Sequence, residues 1–437
     1  MMVILSLVVL LAVEAFFLAW AVKSKSSHTQ EKNVVHIAEL ALFGILTVTG
    51  VFQWGFRWYF ILAALVILST ISVVTLVRKT EKPYNLGKSI RRFIGIGFLF
   101  TFALLPAMLF LQYSPPTPTG SDTIETAKYT WVDDSRIETF SNTGENRALT
   151  VDFWYPQDAT SKVPLVVFSH GAFGYNGSNQ STFAELTSHG YVVASIGHTY
   201  HAFITKDTSG NVTLVNMAFL NSVMTVNSRD DIVQDYYDSH VWLDLRVADE
   251  NFILDTITAS VNTANADDPI FSIIDLEHIG LIGHSLGGAS SAVLGRERSD
   301  VDAVIDLDGS MLGEELGVEN GKIVLNDTPY PIPLLNLYAE DHYESAITYF
   351  GSEQAADEGY DNFYASRNAV CAYEVIFKNA GHLNFTDLPL YSPALAKLLG
   401  TGTIGARYCI EKTNSIVLEF FDCYLKGGPT PNFEREY

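Results

Sequence analysis

Cysteine is scarce in this 437-residue chain: Cys371, Cys409 and Cys423 are the only three. Three cysteines exclude a disulfide framework, and none stands at CxxC or Cys/His metal spacing. In an oxidising compartment the three leave room for one bridge with one thiol left over, and the sequence does not choose the pair. Charge is also sparse, at 17% of residues, and positive charge is scarcest after residue 113. Residues 1–113 carry 10 Lys+Arg and 4 Asp+Glu, which leaves 17 basic and 45 acidic groups for the remainder. An acidic remainder argues against nucleic acid and against anionic lipid held through a basic patch; it reads as a solvated surface. There is no internal repeat. What the chain has in excess is apolar residues, 48% of the total, concentrated at its N-terminal end. That length and distribution fit one membrane region followed by one large globular domain.

Four apolar runs, residues 1–22, 34–53, 58–77 and 93–112, each approach the roughly 20 residues that a spanning helix needs. The first has a cleavage-like Ala19-Trp20-Ala21 but no basic segment before it, and three further runs follow, so an uncleaved span is expected. The first connection carries Lys23, Lys25 and Lys32, and the third Arg78, Lys79, Lys82, Lys88, Arg91 and Arg92. The second has only Arg57. The basic bias places connections one and three in the cytoplasm, and hence both chain ends and everything after Gln112 outside it. Trp20, Trp54, Trp58 and Tyr59 fall at span ends, where an interfacial aromatic belt is expected. Glu14 lies deep in the first run and is expected to face other helices, whereas His36 and Glu39 are near enough to a helix end to reach headgroups.

The expected organisation is a four-span region over 1–113, a linker over 114–124 and a globular domain over 125–437. Ser114-Pro115-Pro116-Thr117-Pro118 suits a stiff, extended spacer. Beyond it, strands are expected at 149–156, 164–168, 191–196, 303–307, 334–338 and 373–377. Helical patterns fall at 181–189, 230–258 and 415–424. Apolar strands alternating with helices indicate a mostly parallel sheet covered by helices on both faces.

The centre of this domain is His278-Ile279-Gly280-Leu281-Ile282-Gly283-His284-Ser285-Leu286-Gly287-Gly288-Ala289. A buried-strand run meets G-x-S-x-G and continues into small, helix-compatible residues. Strand, abrupt turn and helix together expose the hydroxyl of Ser285 on a strained backbone, at a helix N-terminus that favours negative charge. A serine nucleophile needs an imidazole base, and the base needs a carboxylate to fix its tautomer. With the chain order serine, acid, histidine of α/β hydrolases, the base must be His342 or His382. His382 follows the strand at 373–377 through a short loop and is the expected base; His342 sits in a polar stretch. Asp308, Asp306, Asp341 and Glu340 all remain open as the acid. The oxyanion donors are expected to be the backbone N–H of Leu286 and of Ala172, with Phe173 as the alternative to Ala172. His170 and His284 are expected to support the site structurally. The reaction needs no metal and no organic cofactor.

At Phe168-Ser169-His170-Gly171, Ser188-His189-Gly190-Tyr191-Val192-Val193, Gly283-His284-Ser285-Leu286-Gly287-Gly288, Leu307-Asp308-Gly309 and Gly381-His382-Leu383-Asn384-Phe385 the chain resembles the platelet-activating factor acetylhydrolase family of the plasma, serine-lipase type. The resemblance spans roughly 145–425 and none of the membrane end. It implies an α/β-hydrolase fold, Asp308 as the acid ahead of Asp341, and calcium-independent hydrolysis of short or oxidised acyl esters on glycerophospholipids. Residues 343–364, rich in aromatics and acids, have no counterpart in it and could line an acyl pocket or form a lid. The expected protein is therefore a multi-pass membrane serine esterase with an extracytoplasmic catalytic domain acting on an ester or phospholipid. A general carboxylesterase or polyester (cutinase-like) hydrolase is the rival within the class. A non-catalytic membrane sensor using the same fold is the rival outside it.

Overall fold

The computed structural model describes residues 2–80, 83–226, 229, 231–265 and 268–437. Met1, Lys82 of the third connection and Asp230 at the head of the expected helix lie outside the described residues. The chain forms two compact units, Met1–Ser114 with Tyr391–Leu395, and Pro115–Leu390 with Ala396–Tyr437.

The first unit is built from helices α1 (Met2–Ser24), α2 (Thr29–Val48), α3 (Tyr59–Val77) and α4 (Leu86–Leu109). Among the described residues, three stretches, Met2–Ser24, Phe56–Val77 and Leu86–Leu109, are long and apolar enough to cross a membrane, where four were expected. The exception is α2, which begins at Thr29 rather than at Val34 and so takes in Glu31, Lys32 and Asn33 as well as His36 and Glu39. His36 does not reach outward. Its Nε2 lies 2.8 Å from Glu14 Oε1, Lys32 pairs with the same carboxylate, and Ser69 Oγ donates to the His36 carbonyl at 3.0 Å. Glu14 is fully buried among these partners, as an ionisable group in apolar surroundings must be. Helix α4 starts seven residues earlier than the apolar run because Asn85 caps it, its Oδ1 accepting the Lys88 N–H at 2.9 Å. Lys88, Arg91 and Arg92 therefore belong to the helix and not to a connection.

The second unit is organised on an eight-stranded sheet. Its strands are β1 (Ile124–Ile137), β2 (Asn146–Pro156), β3 (Val163–Ser169), β4 (Val192–Gly197), β5 (Ile274–His284), β6 (Ala303–Leu307), β7 (Leu334–Ala339) and β8 (Ala372–Phe377), in spatial order β1-β2-β4-β3-β5-β6-β7-β8. β1 and β2 pair antiparallel, β2 runs antiparallel to β4, and all later neighbours are parallel. Because side chains alternate across a strand, Leu165 and Val167 enter one core while Val166 and Phe168 enter the other. The helix Ile232–Thr263 covers the first face with Ile253, Leu254 and Ile257. The helix Ala406–Lys426 covers the second with Ile416, Val417, Phe420 and Phe421. Burial on both faces explains why the central strands read as unbroken apolar runs.

Two differences from the sequence reading stand out, in the segment after residue 114 and in residues 343–364. The segment expected as a stiff, extended spacer is hydrogen-bonded to the globular unit from residue 119, where the Thr119 N–H donates to Glu185 Oε2 at 2.9 Å and the Asp122 N–H to the Ser188 carbonyl at 3.0 Å. Residues 343–364 are helical, in Glu340–Phe350, Glu353–Gly359 and Asp361–Asn368, and their Tyr343, Ala356 and Phe363 pack with Tyr338 and Ile376 as a small separate core. Tyr343 and Phe363 are thus committed to packing, whereas Tyr349 of the same stretch is exposed. All three cysteines are free thiols.

Candidate active site

The parallel strands deliver their carboxyl ends to one edge, where α/β folds place their chemistry. After β5 the chain turns at Ser285, with φ 56° and ψ −126°, directly into the helix Leu286–Glu297. A Cβ built on Gly283 would come within 2.1 Å of the Gly287 backbone, and one on Gly287 within 2.0 Å of the Ser169 carbonyl. Only glycine permits strand, turn and helix to approach so closely. A positive φ at a non-glycine residue stores on the order of 1–3 kcal/mol, held here by the packing around it. The Ser285 N–H donates to the Leu307 carbonyl at 3.0 Å, which fastens the turn to β6.

Asp308 follows β6, also at positive φ (56°), with its N–H on the Leu337 carbonyl at 2.8 Å. Its Oδ1 accepts the Ala339 N–H at 2.6 Å, and its Oδ2 lies 2.7 Å from His382 Nδ1 and 2.9 Å from His342 Nδ1. Burial alone would raise this carboxyl, but the two imidazole hydrogen bonds outweigh it and hold Asp308 well below the usual carboxylate range. Of the other acids considered, Asp341 accepts the N–H of its neighbour His342, and Glu340 accepts the Asn379 N–H and pairs with Lys378. Asp306 is buried beneath the edge, accepts the Gly309 N–H at 2.9 Å, and is pushed well above the ordinary range by that burial.

His382 opens the short helical turn His382–Phe385 after β8. Its carbonyl takes the hydrogen bond of His284 Nε2 at 3.0 Å, and the two rings lie 4.5 Å apart. Since His284 precedes Ser285, this contact draws His382 to the serine turn. Burial, and then the neighbouring His382, hold the His284 pKa down at about 3, so His284 is a neutral support.

The loop after β3 approaches from the other side. A Cβ on Gly171 would sit 2.8 Å from His284 Nδ1 and 3.0 Å from Ser285 Cβ. The Phe173 N–H is engaged by the His201 carbonyl at 3.3 Å, which leaves Ala172 as the donor candidate of this loop. Leu286, the first residue of its helix, has no intrahelical acceptor for its N–H. Sequence reasoning missed what holds the loop in place. Arg246, fully buried on the helix Ile232–Thr263, donates to the His170 carbonyl at 2.8 Å and the Gly171 carbonyl at 3.2 Å. Fixing both carbonyls toward Arg246 fixes the direction of the following amides. Asp249, one turn on, accepts from Arg147 Nε at 2.6 Å and from His198 Nδ1 at 3.0 Å, and His198 Nε2 meets Ser169 Oγ at 2.9 Å. The signal was present: Arg246 and Glu250 fall on the same helical face as Leu243, Ile253 and Ile257, and charges inside an apolar stripe must be paired.

The strand order, with a serine turn after β5 and an acid–imidazole pair at the same sheet edge, is that of the α/β-hydrolase fold. Two comparisons with known proteins agree with that class. Residues 142–222 match the family model described as platelet-activating factor acetylhydrolase, isoform II. The matched stretch holds the His170-Gly171-Ala172 loop and stops short of Ser285, Asp308 and His382. Among solved structures, a ferulic acid esterase from Streptomyces cinnamoneus is similar, with a TM-score of 0.55, 22% identity, and coverage of 72% of this chain and 94% of that one. None of the curated proteins compared with the chain matches it.

Proposed function

We propose that the protein is a serine ester hydrolase in which Ser285 attacks the ester carbonyl, His382 carries the proton and Asp308 orients His382. The observation that carries this reading is the convergence of a strained serine turn with an Asp308–His382 pair 2.7 Å apart at the same sheet edge. The Asp308 contact fixes the proton on His382 Nδ1 and leaves Nε2 as the basic atom. Nε2 takes the serine proton as the acyl–oxygen bond forms and returns it to the departing alkoxide. The tetrahedral oxyanion is met by the Ala172 and Leu286 amides, which are fixed before substrate arrives. Water then repeats the sequence on the acyl-enzyme, with Nε2 as base, and frees the acid.

For the substrate, the matched family supports a short or oxidised acyl ester of a phospholipid, and the three apolar helices support a location at a membrane. The basic distribution of the connections supports an extracytoplasmic catalytic domain. The esterase likeness favours a second reading, hydrolysis of small or polymeric carboxylic esters. Labelling intact cells with an impermeant fluorophosphonate tests nucleophile and sidedness together. Wild-type protein labels and Ser285→Ala does not; labelling of both, or of neither with active control enzymes present, sinks the proposal. Rates on a short-acyl phospholipid against p-nitrophenyl butyrate decide between the substrates.

A further inference from the structure

We propose that Asp308, His342 and His382 form a binding site for a zinc-class divalent cation whose occupancy silences the hydrolase centre; the silencing rests on the function proposed above. A serine–histidine–acid set uses one imidazole on the acid. Here the same oxygen, Asp308 Oδ2, takes two, His382 Nδ1 at 2.7 Å and His342 Nδ1 at 2.9 Å. One ligand atom from each residue lies within 4.8 Å of both others, and the two rings stand 4.9 Å apart at 36°. The three groups come from three places, after β6, at the head of the helix Glu340–Phe350 that follows β7, and after β8, so the fold alone assembles them. His342 is 46% exposed and His382 29%, which leaves an approach from solvent, whereas Asp308 is held at the bottom by the Ala339 N–H.

Two imidazole nitrogens and one carboxylate oxygen are the donor set of three-ligand zinc sites, with water in the fourth position. Calcium and magnesium require oxygen-rich sets and are not served. The charge suits a cation, because a second carboxylate, that of Asp341, lies beside Gly381, where a Cβ would be 3.2 Å from its Oδ2.

Occupancy has a definite chemical consequence. The cation takes the lone pair of His382 Nδ1, so the proton formerly there resides on Nε2, transferred through solvent. An imidazole protonated on Nε2 cannot accept the proton of Ser285. His342 makes the same tautomeric change, or releases one proton to solvent if it was doubly protonated. No bond to substrate is made or broken, and chelation reverses the state.

The test uses the full chain in detergent, first stripped with EDTA. Zinc uptake is counted by competition against a chromophoric chelator in Ser285→Ala, which has no hydrolysis to disturb, and in Ser285→Ala/His342→Ala. One equivalent in the first and an affinity at least about tenfold weaker in the second is expected for loss of one of three ligands. Zinc is then titrated into p-nitrophenyl acetate hydrolysis by wild type, His342→Ala and His342→Gln, each scaled to its own zinc-free rate, with thermal melting to verify folding. Wild type loses at least about tenfold in rate and recovers with EDTA, and both variants require about tenfold more zinc. No bound equivalent, or equal zinc sensitivity of wild type and both folded variants, overturns the site. A zinc-free wild type without hydrolysis overturns the proposed reaction instead, while the chelator count still decides the site.

Discussion

Two regions of the same sheet edge use the same residue types to opposite ends. After β3 and β4, His170, His198 and His201 lie buried with Arg246, Arg147 and Asp249. After β6 to β8, Asp308 meets His342 and His382, both reached by solvent. In the first region burial, reinforced by the Arg246 charge, drives the imidazoles down, His198 to about 3 and His170 well below its usual value. Those rings stay neutral and act as hydrogen-bonded struts. In the second, burial of His342 is outweighed by its Asp308 hydrogen bond, and its pKa rises. Desolvation holds the buried imidazoles neutral, while the imidazole of His342 beside the Asp308 carboxylate gains proton affinity, so surroundings and not residue identity divide the two regions.

The largest test of that division is Ser285→Ala, which removes the group that the exposed region serves. Ester hydrolysis is expected to fall by on the order of 10^6-fold in kcat with melting temperature kept, whereas a loss under tenfold would place the chemistry elsewhere. Next, Asp308→Asn keeps the shape of the contact but no longer fixes the His382 tautomer; kcat is expected to drop by about 10^4-fold. The buried region answers differently. Arg246→Met releases the His170 and Gly171 carbonyls, so kcat falls by about 10^2-fold through the misdirected Ala172 amide, with KM little changed. Arg246→Lys, able to hold one carbonyl, should recover part of that rate, and a pure folding defect would lower the active fraction in both without changing kcat per labelled site.

The two regions also separate with pH. His198 is depressed in the folded protein, so between its folded value of about 3 and the ordinary 6.5 the unfolded chain binds the extra proton. Stability then rises with pH through that window and is lost on acidification. His342, raised by Asp308, contributes in the other sense: its share is complete below 6.5 and fades as pH climbs through its folded value. Thermal melting from pH 4 to 8 should show the His198 slope, and His198→Gln should flatten it. The smallest effect is Ser285→Gly, expected to stabilise by about 1 kcal/mol in denaturant titration, since glycine relieves the φ of 56°.

Much of the site could be read from local pattern. Gly283-His284-Ser285-Leu286-Gly287 specifies its own strand–turn–helix, and β6 and β7 were found nearly to the residue because buried parallel strands are continuous apolar runs. The long edge strand β1 was not expected, since Ile124–Ile137 mixes polar and apolar residues on a half-exposed antiparallel edge. Helix α2 was misplaced because its polar first turns carry no apolar signal; Glu14 and His36 find each other only across two helices. Asp308 led Asp341 only through family resemblance, and no local feature of residues 340–364 announced a helix that carries His342 to the acid.

Hydrophobic periodicity and turn chemistry act over a few residues, so a serine turn, a late histidine and a carboxylate at the carboxyl edge of a parallel sheet were legible along the chain. Which acid meets His382, that His342 joins it, and that Arg246 holds the Gly171 carbonyl emerge with the packed fold. Those are contacts between residues 34 to 75 apart in the chain, and whether such groups meet depends on how strands and helices pack, which no short window records.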